Sequence, residues 1–451
     1  MPPPWRPPPE ELQVGVGRYA TPTAGTGGRI KVDPEDFRVD EISLYPFPDP
    51  EGAFTVLRVS ARNWEQHELA HRLSDRLHLA PGAIAWAGTK DRRAITEQLL
   101  SYRGPPAELG EEPLPGVTVR ETYRARSGLV LGHHFGNSFS IAVRESPLSP
   151  EPLAERVAAT ARALREVGEL PNFFGPQRFG EVRPVTHEVG RALLRGDSAS
   201  AVEIYLASVY GGESEEGRNA RVAYASHHDP VRALREFPPA YRFERTLLDN
   251  LARGRGPARA LHALPRELRR LFIHAYQSLL FNRFLSARYD EGLSLRSPEP
   301  GDFLLRGMRD GTVPGTNPIP VTEDNLPEAL ELVERGRARL AGPLVGLDTP
   351  PFAGRPGELL TRLLAAEGIE REAFRLREHP DLASEGTFRP LAFPVPPLGV
   401  QTLAEPPNAY RLTFALPKGT YATVLVREFV KAGAGETGDP VTARPLSSKQ
   451  A

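Results

Sequence analysis

The chain is 451 residues long, 40% hydrophobic and 25% charged, with 56 Lys and Arg against 57 Asp and Glu, which is enough for two or three domains with substantial cores. No run approaches the roughly 18 apolar residues of a membrane span, and the opening "MPPPWRPPPEELQ" lacks the apolar core of a signal peptide, so a cytoplasmic location without membrane contact is predicted. The absence of Cys excludes disulfides, iron–sulfur clusters, thiolate zinc sites and cysteine nucleophiles, and the net charge of -1 excludes a uniformly basic chain but not a local basic patch.

Residues 1 to 12 and about 432 to 451 are Pro-rich or Gly/Ser/Thr-rich, aperiodic, and predicted to be mobile. "IKVDPEDFRVDEI" (Ile30 to Ile42) and "AFTVLRVS" (Ala53 to Ser60) read as strands. A helix is predicted from about Trp64 to Leu77, because Asn63 and Gln66 have capping-box spacing and Leu69, Leu73 and Leu77 recur every four residues. Inside it, "HELAH" matches the H-E-x-x-H pattern of zinc proteases. The later His of the extended pattern is missing, and His67, His71, Ser74 and His78 form one polar face, so the stretch reads as a solvated face and no metal is predicted.

Next come two short apolar runs, Ala83 to Ala87 and Ala94 to Leu100, read as strands around "GTKDRR". Here a single carboxylate, Asp91, stands among Lys90, Arg92 and Arg93. The ordinary reading is a solvated hairpin tip; the sharper one is a site for an anionic ligand, or for an acid that must work ionised. Of the basic residues only Lys31, Lys90, Lys418, Lys431 and Lys449 are lysines. In so Arg-rich a chain, Lys31 and Lys90 mark places where a compact ammonium fits and a planar guanidinium does not. "AGTGG" at Ala24 to Gly28 lacks the residues of a phosphate loop.

"NSFSIAVRE" alternates, with Phe139, Ile141 and Val143 on one face and Ser138, Ser140 and Ala142 on the other. A helix follows Ser149-Pro150, with Leu153, Val157, Leu164 and Val167 on its apolar stripe and Gly168 as its stop. "PNFFGPQRFGE" breaks all periodicity: Phe173, Phe174 and Phe179 suit either a core or a stacking surface for splayed nucleotides, with Gln177 and Arg178 as planar donors. From about 183 to 390 the chain is helix-rich. Within that stretch, "LARGRGPARALHALPRELRR" (251 to 270) holds six Arg against one Glu, either a phosphate-contacting surface or a solvated helix face. Strand character returns from Tyr410 to Val430, with a Pro-Lys-Gly turn between two β-rich runs. This order predicts an α+β domain, 1–182 and 391–451, interrupted by an insertion at 183–390, since the last strands need partners that the first can supply.

Taken together, "KVDPEDFRVDEI", "AGTKDRRAITEQ", "GNSFSIAVR", "PNFFGPQRFG" and "LPKGTYATVLVRE" resemble, in the same order, the signature segments of the TruD family of tRNA pseudouridine synthases. The resemblance implies a pseudouridine-synthase-like catalytic domain, with a mixed or antiparallel sheet and flanking helices, interrupted by a helix-rich α+β insertion domain. It implies conversion of uridine to pseudouridine in transfer RNA, at position 13 in bacterial members, without cofactor, metal or obligatory protein partner. Carried over by position, Asp91 is the catalytic aspartate, Lys31 the basic residue beside it, and Phe37 the aromatic that packs on the target base. Asn137 and Phe139 belong to the same pocket. By their own residue types, and not by position in the family, Gln177 and Arg178 are expected to contact the RNA, and Lys90, with Arg92 and Arg93, is expected to face phosphates. Such an enzyme must break the N1–C1′ bond, turn the uracil over and rejoin it through C5, after flipping the base out of folded RNA. A carboxylate assists by attacking the sugar or by removing a sugar proton.

Overall fold

Alternating and β-branched runs build one large sheet. Its strands are β1 (Phe37–Ile42), β2 (Phe54–Arg62), β3 (Ala85–Trp86), β4 (Ile95–Arg103), β5 (Val117–Ala125), β6 (Gly136–Val143), β7 (Gly399–Leu403) and β8 (Ala409–Pro417). The structure, a computed structural model, describes residues 5–43, 45–180, 182–307 and 317–431. The sheet order is β7-β8-β6-β1-β4-β2-β5, with β3 on β4. Only the β1–β4 pairing is parallel, so the sheet is mixed. The parallel pairing places the start of β4, where the "GTKDRR" loop ends, beside the start of β1, with Arg38 opposite Ile95.

The chain divides into two compact units. The first comprises Ala20–Leu170 and the described residues from Pro394 on; the second comprises Arg6–Tyr19 and Pro171–Phe393. In the first, helix α1 (Gln66–Arg76) lays Leu69, Ala70 and Leu73 against Leu57, Val59 and Leu100 of the sheet. Helix α2 (Pro150–Val167) starts at a proline, whose missing N–H is no loss in a first turn, and stops at Gly168, left-handed at φ +73°. The second unit is built around the 25-residue helix Arg266–Asp290, which buries side chains along most of its length. A four-stranded sheet ordered Thr387–Pro390, Ala338–Leu344, Phe303–Arg306, Ile319–Pro320 belongs to the same unit.

Several predicted elements are corrected. Residues 30 to 36 are not strand: Pro34–Asp36 form a 3-10 turn, as a proline without a donor N–H favours, and the strand begins only at Phe37. The cap of α1 is Glu65, whose side chain accepts from the Glu68 N–H, while Asn63 takes a left-handed φ of +63° in the preceding turn. Its polar face is interrupted as well, because Ser74 is buried. The apolar run before Gly88 forms only the two-residue β3, paired with Leu100 and Ser101.

The second β-rich run after the Pro-Lys-Gly turn is helix α3 (Ala422–Val430). Nearly every residue of it is buried, so packing all round, and not propensity, decides its state. The opening segment also departs from expectation. Pro9–Gln13 is a short helix and Val14 and Val16 are buried, with Asn282 donating to the Val14 carbonyl at 2.9 Å and the Ser286 hydroxyl to that of Gly15 at 2.8 Å. Residues 1–4 and 432–451, the rest of the ends predicted to be mobile, lie outside the described residues.

Candidate active site

Eight residues, 87 to 94, return the chain from β3 to β4, and Asp91 sits on this return with its side chain 19% exposed. Its carboxylate accepts from the Lys31 ammonium at 3.3 Å. The same ammonium stands 4.5 Å from the centre of the Phe37 ring, so one buried cation faces a carboxylate and an aromatic together. Phe37 meets Phe139 edge-on at 6.3 Å, and Phe139 stacks on Phe414 at 5.4 Å. The three rings line one face across β1, β6 and β8, because Phe139 is the direct partner of both Val39 and Phe414 and side chains two apart share a face.

Lys31 reaches Asp91 from a non-glycine backbone at φ +55°, a conformation that costs on the order of 1 to 3 kcal/mol and persists where the surroundings dictate it. They do so here from three sides. Arg29 and Arg144 exchange backbone hydrogen bonds of 2.7 and 2.8 Å just before it. Arg93 donates to the Val32 carbonyl at 2.6 Å just after it. Beyond that, buried Asp36 accepts from the Asp33 N–H at 2.9 Å and from Arg144 Nε at 2.6 Å, closing the turn that leads into β1.

The cations of "KDRR" therefore divide their work, which corrects the expectation that all three face phosphates. Lys90 turns inward to Glu41, 2.6 Å away, with both side chains almost wholly buried, because a carboxylate two residues beyond Val39 on β1 awaits it there. Arg93 holds the Lys31 segment. Arg92 is exposed.

Asn137 lies opposite Glu41 on β6, half-buried, and its Oδ1 is buried without a hydrogen-bond partner among the described residues. Phe37 is only 1% exposed, so here its ring is a floor under Lys31 and not an open stacking platform. Four predicted site residues, Lys31, Phe37, Asp91 and Phe139, are thus drawn into one cluster. Glu41 and Phe414 were missed by sequence reasoning. Glu41 left a signal, a charge at an inward position of an alternating strand; Phe414 left none beyond its alternation.

Gln177 and Arg178 belong to the second unit. Gln177 is exposed, whereas Arg178 donates to the Ser278 hydroxyl at 3.1 Å and lies 5.6 Å from the Phe174 ring centre. Phe173, Phe174 and Phe179 are all buried and act as core, and Arg389 lies 4.0 Å over Phe174. The Arg-rich stretch 251 to 270 is also largely engaged within its own unit. Arg253 pairs with Asp249, Arg255 donates to Asn250 at 2.6 Å, and buried Arg269 binds Asp381 at 3.0 Å. In the H-E-x-x-H stretch, His67 lies edge-on to Trp86 at 5.2 Å and exposed His71 binds Asp75 at 3.0 Å.

The fold and site define an α+β protein whose mixed sheet carries a carboxylate beside an ammonium and a file of three aromatic rings. The family model described as tRNA pseudouridine synthase D (TruD) matches residues 13–429. A probable tRNA pseudouridine synthase D of Methanococcoides burtonii is 34% identical over 93% of this chain and 97% of its own length. One from Halobacterium salinarum is 38% identical over 94% and 98%. The crystal structure of the putative tRNA pseudouridine synthase D from Methanosarcina mazei superposes with a TM-score of 0.81 at 33% identity, covering 94% of this chain and 98% of that one. This chain belongs to the TruD family of tRNA pseudouridine synthases.

Proposed function

We propose that this chain isomerises uridine to pseudouridine at position 13 of transfer RNA, with Asp91 as the reacting carboxylate. The observation that carries the assignment is the Lys31–Asp91 pair at 3.3 Å, set on a partly open loop above a buried aromatic floor. The reaction breaks N1–C1′ and forms C5–C1′, and the hydrogen lost from C5 is matched by one gained at N1. Nothing is oxidised or reduced, so a carboxylate that adds to C1′ and leaves again, or that borrows and returns a C2′ proton, balances the step.

The other residues supply position. Lys31 fixes Asp91 through a charge-assisted bond. Asn137 offers a carbonyl oxygen that no described residue occupies, suited to an N–H of the uracil edge. Phe139, on the same strand face, bounds the place where a flipped base would lie. Exposed Arg92 and Gln177 are proposed contacts to the RNA, and Arg178 acts by shaping the segment that carries Gln177. The first unit is the catalytic domain, and the second, apart from its N-terminal segment, is the insertion.

The deciding experiment treats unmodified transfer RNA with purified protein, with and without EDTA, and maps pseudouridine by base-resolved chemistry. Formation at position 13, equal in both samples, is expected. Absence of pseudouridine overturns the activity, modification elsewhere overturns the position, and loss with EDTA overturns the metal-free reading.

A further inference from the structure

The ion pair behind the reactive loop is not used by the isomerisation, yet it is built with care. The Lys90 ammonium donates to Glu41 Oε2 at 2.6 Å and to the Gly88 carbonyl, within its own loop, at 3.2 Å. The other oxygen of Glu41 accepts from the Ser43 hydroxyl at 2.6 Å, so both carboxylate oxygens are occupied. His134 closes the cluster from the segment before β6. A methyl group on Gly88 would stand 2.9 Å from Lys90 Nζ and 3.0 Å from the His134 ring, so a larger residue there would push on both side chains. The His134 segment is itself anchored, Gly132 donating to the Ala87 carbonyl at 2.7 Å and accepting from Lys418 Nζ at 2.9 Å. Burial, then the nearby Lys90 ammonium, push His134 below its ordinary range, so it packs here as a neutral ring.

A buried ion pair is seldom more stable than two apolar side chains of the same size, but it is directional. Holding Lys90 inward leaves its neighbour Asp91 to meet Lys31 on the other side of the chain. We propose that Glu41, Lys90 and His134 are positioning residues for Asp91: they anchor the 87–94 loop from beneath and hold its carboxylate in reacting register. The inference rests on Asp91 being the reacting carboxylate.

The test is the double substitution Glu41→Gln with Lys90→Met, which removes both charges and leaves neither buried alone. Melting temperature and transfer-RNA affinity by filter binding are expected to stay near wild type, while the single-turnover rate at saturating protein falls on the order of 100-fold, the scale of about 1 Å of misplacement. A folded double variant with wild-type rate overturns the proposal. Should it not fold, Ser43→Ala decides, since it removes only the hydroxyl that orients Glu41. A rate loss of severalfold with unchanged affinity supports positioning, and an unchanged rate overturns it. Asp91→Asn assayed in parallel separates the two readings: if it is active, the catalytic assignment fails; if it is inactive while the double variant is wild type, only the positioning role fails.

Discussion

Asp91→Asn tests the centre of the site, and its consequences for stability and for rate differ enough to be told apart. The pair is 3.3 Å long, with Lys31 6% and Asp91 19% exposed. Unit charges at that distance attract by about 5 kcal/mol at an effective dielectric of 20. Most of this is offset by desolvation, and breaking a fully buried pair costs about 3 to 5 kcal/mol. With one partner partly in water, a net loss of about 1 to 3 kcal/mol is expected, seen as a melting temperature lower by a few degrees. Transfer-RNA affinity should hold or tighten, since a negative charge near the phosphates is gone. Pseudouridine formation in a single-turnover assay should become undetectable, because the amide is neither nucleophile nor base. Combining Asp91→Asn with Lys31→Met should restore the melting temperature without restoring activity. Measurable isomerisation by the folded Asp91→Asn protein would refute the assignment.

Lys31→Arg keeps the charge but forces a wide fork between the Asp91 carboxylate and the Phe37 ring, and should slow the single-turnover rate far more than Lys449→Arg; equal rates would make Lys31 an accident of codon usage. Phe37→Leu nearly conserves core volume, so a stability loss below about 1.5 kcal/mol is expected with a clear loss of rate; a wild-type rate by the same assay would return Phe37 to a purely structural role. His187, buried in the second unit, is held down to about 4 by burial and then by Arg283 and Arg191. The unfolded chain therefore takes up the proton first, and stability that is full above about pH 6.5 should fall by up to roughly 3 kcal/mol as pH drops toward 4. Melting curves across that range should flatten in His187→Leu; an unchanged slope would assign the pH dependence to other groups.

Much of the local structure was legible from periodicity and punctuation alone. The alternation of "NSFSIAVRE" placed Phe139, Ile141 and Val143 together, and all three are buried on β6. Ser149-Pro150 and Gly168 bounded a helix whose ends fall at Pro150 and Val167. The odd charge pattern of "GTKDRR" singled out the loop that carries Asp91 beside Lys31, although the same pattern suits a solvated hairpin tip. Such signals come from interactions within a few residues, which sequence order records directly.

What tertiary structure decided lies beyond that range. The run after the Pro-Lys-Gly turn is as β-branched as a strand but becomes helix α3, since a segment buried on every side shows no period to read. Lys90 looked like a phosphate contact until Glu41, 49 residues away in sequence, took its charge inward. Lys31 and Asp91 are 60 residues apart and meet because the parallel pairing of β1 with β4 sets the start of one strand beside the start of the other. A charge declares its type in the sequence, but its partner is chosen by strand order and register, which depend on the whole sheet at once.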